Sequence, residues 1–234
     1  MIKIGILCAG DSELEPFFPE IEECQVSEKA MLKVYEGKME GVRVAALFSG
    51  VCKVNAAIAA QILIDTYGCE MMINAGTAGA MAKEIQVFDT IVSTECAYHD
   101  VAEDILTDFH PWLPSVYFQA DENLLSLAKK AAGELAASHH TVFGRMVTGE
   151  TFIEEEKRDE IVKAYAPLCV DMETAAVAHV CYVNRIPFLA VRTATDTAGV
   201  GSSNDFEANC EKASRLSAEF VTCMLRELKN RNGR

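Results

Sequence analysis

The chain is short of positive charge. Its 234 residues carry 21 Lys and Arg against 35 Asp and Glu, a net charge of −14. Nucleic acids and anionic membrane surfaces are bound through basic patches, so neither is expected as a partner. A neutral small molecule is compatible with this balance. Long hydrophobic runs are missing too: no segment approaches the ~20 apolar residues of a membrane-spanning helix. The opening Met1-Ile-Lys-Ile-Gly-Ile-Leu is too short an apolar run for a secretory signal. Neither G-x-G-x-x-G nor Gly-Lys-Ser/Thr occurs, which weakens a dinucleotide site and a Walker-type phosphate loop. The nine cysteines show no Cys-x-x-Cys spacing, which disfavours zinc. Thiols scattered through apolar contexts, such as Cys8, Cys169 and Cys181, read as small buried hydrophobes of a reducing cytoplasm. No metal and no other cofactor is expected.

Half of the residues are hydrophobic and 24% are charged, the proportions of a globular protein. This length fits one domain with a substantial core, expected over 1–230, with 231–234 as a frayed tail. Buried strands are read at 2–9, 71–74, 89–95, 142–147, 168–170 and 188–191, with a two-stranded hairpin over 34–48. Helices are read at 56–66, 123–138, 155–165, 174–183 and 206–228, the last capped by Asp205 after a flexible polar linker over 197–204. Strands alternating with helices give an α/β fold: a single domain whose central twisted sheet is mixed, mainly parallel, and flanked by helices.

One stretch organises the chemistry. The run 168–196 reads as strand, helix, strand; the first strand stops at Asp171 and Glu173, the second at Arg192, Thr195 and Asp196. Ligands of parallel sheets sit at the carboxyl ends of strands. Glu13 lies just past the end of the first strand. Taken alone it reads as a helix-opening acid beside the cap Asp11. Loops of small residues at Ser49-Gly50, Gly76-Thr77 and 149–152 let a ligand approach backbone. His99 beside Asp100 reads as a structural histidine. The run Glu154-Glu155-Glu156 reads as a solvated helix face, and 104–114 as an apolar lid or subunit contact. Three carboxylates at one sheet edge can protonate a leaving group, activate water and stabilise positive charge. Spacing alone leads to a hydrolase-like pocket of unknown substrate.

Four motifs carry the reading further: Val170-Asp-Met-Glu-Thr-Ala-Ala, Arg192-Thr-Ala-Thr-Asp196, Asn74-Ala-Gly-Thr-Ala-Gly79 and Ser49-Gly-Val-Cys-Lys-Val-Asn55. In this order they resemble the nucleoside phosphorylase/hydrolase superfamily, and within it the 5′-methylthioadenosine/S-adenosylhomocysteine nucleosidases, over essentially the whole chain. The resemblance implies a nucleoside phosphorylase-like fold and hydrolysis of the N-glycosidic bond of an adenine nucleoside. It implies Asp196 as general acid at purine N7, Glu13 as general base on water, and Glu173 on the ribose hydroxyls, stabilising an oxocarbenium-like transition state with Met172. Phe152 would stack on the purine, the Ile153 backbone would read its edge, and Phe206 would close the pocket. Thr77, where the family usually has Ser, would contact ribose and water. Arg192 would help place the water, and Gly79 and Thr195 complete the implied substrate contacts. A homodimer is implied as well.

Departures are visible. The family's Ala-Met-Glu-Glu-Glu is here Ala9-Gly10-Asp11-Ser12-Glu13, and Phe109-His110-Pro111-Trp112 differs from the segment that relatives place over a neighbouring subunit's 5′-substituent pocket. Preference among 5′-substituents stays open. Phosphorolysis is the nearest rival, but it needs arginines around an anion, and the loops at Glu13 and Gly76-Thr77 carry none. Hydrolysis of aminofutalosine would use the same acids. A silent nucleoside sensor is a different class, and it would not need Glu13.

Overall fold

The computed structural model describes residues 2–110, 112–153, 155–197 and 203–232. In chain order the elements are β1 (Lys3–Cys8), α1 (Asp11–Leu14), a 3-10 turn (Glu15–Glu20), β2 (Glu22–Lys29), β3 (Leu32–Met39), β4 (Val42–Phe48), α2 (Lys53–Asp65) and β5 (Met71–Ala80). There follow β6 (Thr90–Tyr98), α3 (Glu103–Phe109), β7 (Phe118–Gln119), α4 (Glu122–Glu134), β8 (Thr141–Thr148), α5 (Glu155–Tyr165), β9 (Cys169–Asp171), α6 (Thr174–Asn184), β10 (Phe188–Ala194) and α7 (Ser203–Asn232).

The sheet is mixed. Parallel pairings (β4–β1, β1–β5, β5–β10, β6–β8, β8–β9) share it with antiparallel ones (β2–β3, β3–β4, β10–β6, β5–β9, β6–β7). The long β5 is the hinge of this topology. Met71 to Asn74 pair with β1, while Gly79 and Ala80, beyond the reach of β1, pair with β9. Since β10 pairs β5 and β6, and β8 joins β6 to β9, the strands β5, β10, β6, β8 and β9 close into a ring. Composition suggested that β5 would end at Asn74, because Ala and Gly are poor strand formers. Partners along its second half override that preference.

Side chains alternate across the sheet with period two. In β1, Ile4, Ile6 and Cys8 join one core and Leu7 the other. The first core is covered by α1, α4 and α7, through Leu14, Leu124, Leu127, Phe220 and Met224. The second is covered by the alanine-rich faces of α2 and α6, whose small side chains bring these helices together against the strands. Gly76 N–H donates to Ser217 Oγ at 3.0 Å and Ser217 Oγ donates to the Val191 carbonyl at 3.2 Å, so α7 is pinned to β5 and β10.

Three local readings change. The segment 104–114 holds most of a short helix, α3, which ends before His110, while Pro111 lies outside the described residues. The helix α7 opens at Ser203, ahead of Asp205, and runs to Asn232; Arg231 of its last turn donates to Asn123 Oδ1. Most of the expected linker (198–202), Glu154 and the tail residues 233 and 234 lie outside the described residues. The exposed edge strand β2 was not read from sequence, since apart from Cys24 and Val26 its residues Glu22–Lys29 are polar or charged.

Phe220 is fully buried on α7 between sheet and α4. Phe220→Ala should cost about 3–5 kcal/mol, a deletion plus a cavity. Urea unfolding monitored by circular dichroism measures it, and a loss below about 1 kcal/mol would mean that α7 is not packed as described.

Candidate active site

A cavity of about 450 Å³ opens at the carboxyl ends of β1, β5, β9 and β10. That is the size of a small-ligand site. Of the residues expected at the site, Glu13, Thr77, Gly79, Phe152, Ile153, Met172, Glu173, Thr195, Asp196 and Phe206 all line it.

Glu13 stands in the single turn of α1, immediately after β1, and is 5% exposed. Its Oε2 accepts the Ala9 and Gly10 N–H groups at 2.8 and 3.2 Å; its Oε1 accepts Thr77 N–H at 2.7 Å and Thr77 Oγ at 2.8 Å. The Gly10 contact closes the helix N-terminus, so the capping role and the site role belong to one side chain. Gly76 makes the approach feasible: a Cβ there would sit 2.5 Å from Glu13 Oε1 and 2.7 Å from Arg192 Nη1.

Arg192 does not line the cavity. It lies behind it, fully buried in β10. Its Nη2 is 2.8 Å from Asp171 Oδ2, 3.7 Å from Glu173 Oε2 and 2.6 Å from Asn74 Oδ1, and its Nη1 is 4.0 Å from Glu13 Oε1. Burial disfavours the guanidinium charge, but Asp171, Glu13 and Glu173 outweigh it and hold its pKa above the ordinary value. The contacts of Arg192 in this structure are with the carboxylates and with Asn74 and Thr174. Asp171, Asn74 and Thr174 complete this layer. Asp171 Oδ1 accepts Thr148 Oγ at 2.6 Å and Thr174 N–H at 3.1 Å, and Asn74 Nδ2 donates to the Leu7 carbonyl at 2.8 Å.

Glu173 immediately precedes α6 beside this cluster and is 4% exposed. Its Oε1 accepts Cys52 N–H at 2.9 Å. Burial and the Asp171 carboxylate push its pKa up to about 7, against the pull of Arg192 and of the Cys52 N–H. Asp196 follows β10 at the other end of the cavity, where its Oδ1 accepts Ala80 N–H at 2.6 Å. Thr195 bonds the Ala78 carbonyl through its N–H (3.1 Å) and hydroxyl (3.3 Å), turning the chain so that Asp196 faces inward. The rings of Phe152, 67% exposed, and Phe206 meet edge to face at 6.2 Å. An open aromatic face beside a carboxylate suits a flat heteroaromatic base.

Sequence reading singled out neither Ser12, Val51 nor Arg158, which also line the cavity, and it gave Asp171 no role. Asp171 had a signal, since it sits at the same strand end as Glu173. Arg158 had none: it arrives from α5, where helical phase decides which residue faces the cavity. His99 packs against Gly149, and burial lowers its pKa.

The family model of the phosphorylase superfamily matches residues 3–226. The 5′-methylthioadenosine/S-adenosylhomocysteine nucleosidase of Geobacillus kaustophilus is 35% identical, covering 98% of this chain and 99% of its own. The crystal structure of a nucleosidase of the same name from Colwellia psychrerythraea, in complex with adenine, superimposes with a TM-score of 0.90 at 32% identity, covering 97% of this chain and 96% of that one. Futalosine hydrolase of Helicobacter pylori superimposes with a TM-score of 0.88 at 25% identity, covering 97% and 98%. The chain belongs to the phosphorylase superfamily, and within it to the family of 5′-methylthioadenosine/S-adenosylhomocysteine nucleosidases.

Folding raises the proton affinity of Glu173 above that of an exposed glutamate. Its contribution to stability is therefore complete below about pH 4 and is lost as pH rises through about 7. Glu173→Gln is neutral throughout and lacks this decline. Thermal melts should show the wild type losing stability relative to Glu173→Gln from about pH 4 to about pH 7. A difference independent of pH would show that Glu173 titrates like an exposed acid.

Proposed function

We propose that the protein hydrolyses the N-glycosidic bond of 5′-methylthioadenosine and S-adenosylhomocysteine, with 5′-deoxyadenosine as a further substrate, releasing adenine and the (thio)ribose. The observation that carries this reading is the convergence of Glu13, Glu173 and Asp196 on one cavity that also presents an open aromatic face. The similarity to nucleosidases, one of them crystallised with adenine, supports it. The span 1–230 acts in this reading as one catalytic unit.

In this mechanism the base stacks on the open face of Phe152 with Phe206 closing the pocket, its edge read by the Ile153 backbone, with Gly79 leaving room beside Asp196. Asp196 donates a proton to N7, so the C1′–N9 electron pair leaves on a neutral adenine. Positive charge develops on the ribose ring, where ionised Glu173, with Met172 alongside, stabilises it. Glu173 also accepts from the ribose hydroxyls. Glu13 takes a proton from the attacking water, whose oxygen bonds C1′; Thr77 and Glu13 together fix where that water stands. Arg192 positions the carboxylates from behind.

Phosphorolysis would need a cationic anion site beside Glu13. Arg192 is buried and paired with carboxylates. Arg158 lines the cavity but donates to the Ala80 carbonyl, next to the N–H that holds Asp196, on the base side of the site. A second reading, hydrolysis of a futalosine-type nucleoside, rests on the likeness to the Helicobacter pylori enzyme.

A homodimer belongs to the same proposal. Val54 and Ile58 of α2, Tyr182 of α6, and Ile105, Phe109 and Trp112 are exposed. The helices α2 and α6 pack together, and Tyr182 Oη donates to the Trp112 carbonyl at 2.8 Å, so α2, α6 and the segment at Trp112 adjoin. An apolar surface of this kind is an interaction site. A cytoplasmic location is also part of the reading, in keeping with nine free cysteines.

Adenine release from 5′-methylthioadenosine should proceed in phosphate-free buffer and should fall at least about 100-fold in Asp196→Asn and in Glu13→Gln. Release that requires phosphate would identify a phosphorylase, and release from a futalosine alone would select the second reading. Light scattering after size exclusion should give a dimer that Val54→Glu with Ile58→Glu converts to monomer; a monomeric wild type would remove the dimer from the proposal.

A further inference from the structure

Away from the three acids, an ionic cluster ties together three loops, two of which border the cavity. Lys53 opens α2, Asp100 follows β6 and Glu150 follows β8. Lys53 Nζ donates to both Asp100 carboxylate oxygens at 2.9 Å. Asp100 Oδ2 also accepts Glu150 N–H at 3.0 Å, and Glu150 Oε1 accepts Lys53 N–H at 3.1 Å. Each loop is thereby bonded to both others. Lys53 and Asp100 side chains are only 20% and 28% exposed, so the pair is better shielded than an open surface ion pair.

Two things are held by this cluster. Residue 52, immediately before Lys53, gives its N–H to Glu173, and it does so from φ +84°, a backbone conformation unfavourable to a cysteine. Strain of this kind persists where the surroundings over-determine it. The second is the loop after Glu150, which carries Phe152 and Ile153 into the cavity. The cluster thus reaches both the ribose acid and the base-stacking ring, although none of its three side chains lines the cavity.

We propose that Asp100 is a positioning residue for the reaction: by latching Lys53 and Glu150 it holds the Cys52 N–H on Glu173 and the Phe152 loop over the cavity. This rests on the nucleosidase reading for its consequence on rate, but the latch itself is a property of the fold. The groups facing Glu173 are Asp171 of β9, Arg192 of β10, Glu13 of α1 and the Cys52 N–H; Lys53, Asp100, Glu150 and His99 stand one layer further out.

The sign of one titration separates the latch from simple electrostatics. Removing the Asp100 charge takes a like charge away from Glu173, which by itself lowers the Glu173 pKa. Releasing the Cys52 N–H removes a hydrogen bond to the ionised carboxylate, which raises it. The experiment is a pH titration by 13C NMR of protein labelled at the glutamate carboxyl carbon, with Glu173→Gln identifying the resonance. In Asp100→Asn the Glu173 midpoint should rise by roughly half a unit or more. On 5′-methylthioadenosine, kcat/KM should fall about tenfold or more, its acidic limb should move up with the midpoint, and Asp100→Glu should restore part of both. If Asp100→Asn does not fold, Glu150→Ala, which removes the acceptor of Lys53 N–H, carries the same expectation. A midpoint that stays or falls overturns the latch, whatever happens to the rate. A wild type that releases no adenine overturns the nucleosidase reading instead, and the NMR midpoint still decides the latch.

Discussion

One buried cation organises the active side of this molecule. Arg192 lies wholly inside the sheet, yet Asp171, Glu173 and Glu13 come to within ion-pair distance of its guanidinium. A lone charge in such a place is prohibitively unfavourable, and so is a cluster of acids without a cation. Each side makes the other tenable. The planar, multiply donating guanidinium suits this better than an ammonium, because it serves several acceptors from one fixed position. Arrangement rather than net attraction is what the cluster supplies: three carboxylates that line the cavity are held at fixed places relative to one another.

That constraint explains features that look incidental by themselves. Gly76 is glycine because the Glu13 carboxylate and the Arg192 guanidinium occupy the space a Cβ would need. Asn74 and Thr174 are buried polar residues because the guanidinium and Asp171 have further hydrogen-bonding capacity to satisfy. The length of β5 follows too. Its second half brings Gly76 and Thr77 to Glu13, and Gly79 and Ala80 to Asp196, so one strand touches the acids at both ends of the cavity. The ring of strands fixes the distance between those ends.

The same logic gives Glu173 an intermediate character. Burial and Asp171 favour its neutral form, while Arg192 and the Cys52 N–H favour its ionised form. A group balanced near neutrality responds to small changes in what it touches. Its surroundings therefore extend beyond the cavity, through the loop before α2, to an ion pair that meets no ligand.

Much of this was legible in the chain itself. Apolar runs located most strands and helices, because burial on a sheet face or helix stripe leaves a period of two or 3.6 in the sequence. Acids following apolar runs marked the strand ends, and the site residues named from them and from the family motifs do meet in one cavity, apart from Arg192, which backs it. Other features left no such trace. The second half of β5 is strand only because β10 and β9 pair with it, and pairing partners distant in sequence are invisible to local propensity. The inward turn of Arg192, the arrival of Arg158 and the meeting of Lys53 with Asp100 and Glu150 depend on the closing of the ring and on loop paths. By itself, then, the sequence determined which residues could be buried and which acids stood at strand ends, since both are local consequences of hydrophobicity and spacing. Tertiary structure alone decided which of them touch, because distances of a few ångströms between residues about 20 to 180 positions apart are set by strand pairing and packing.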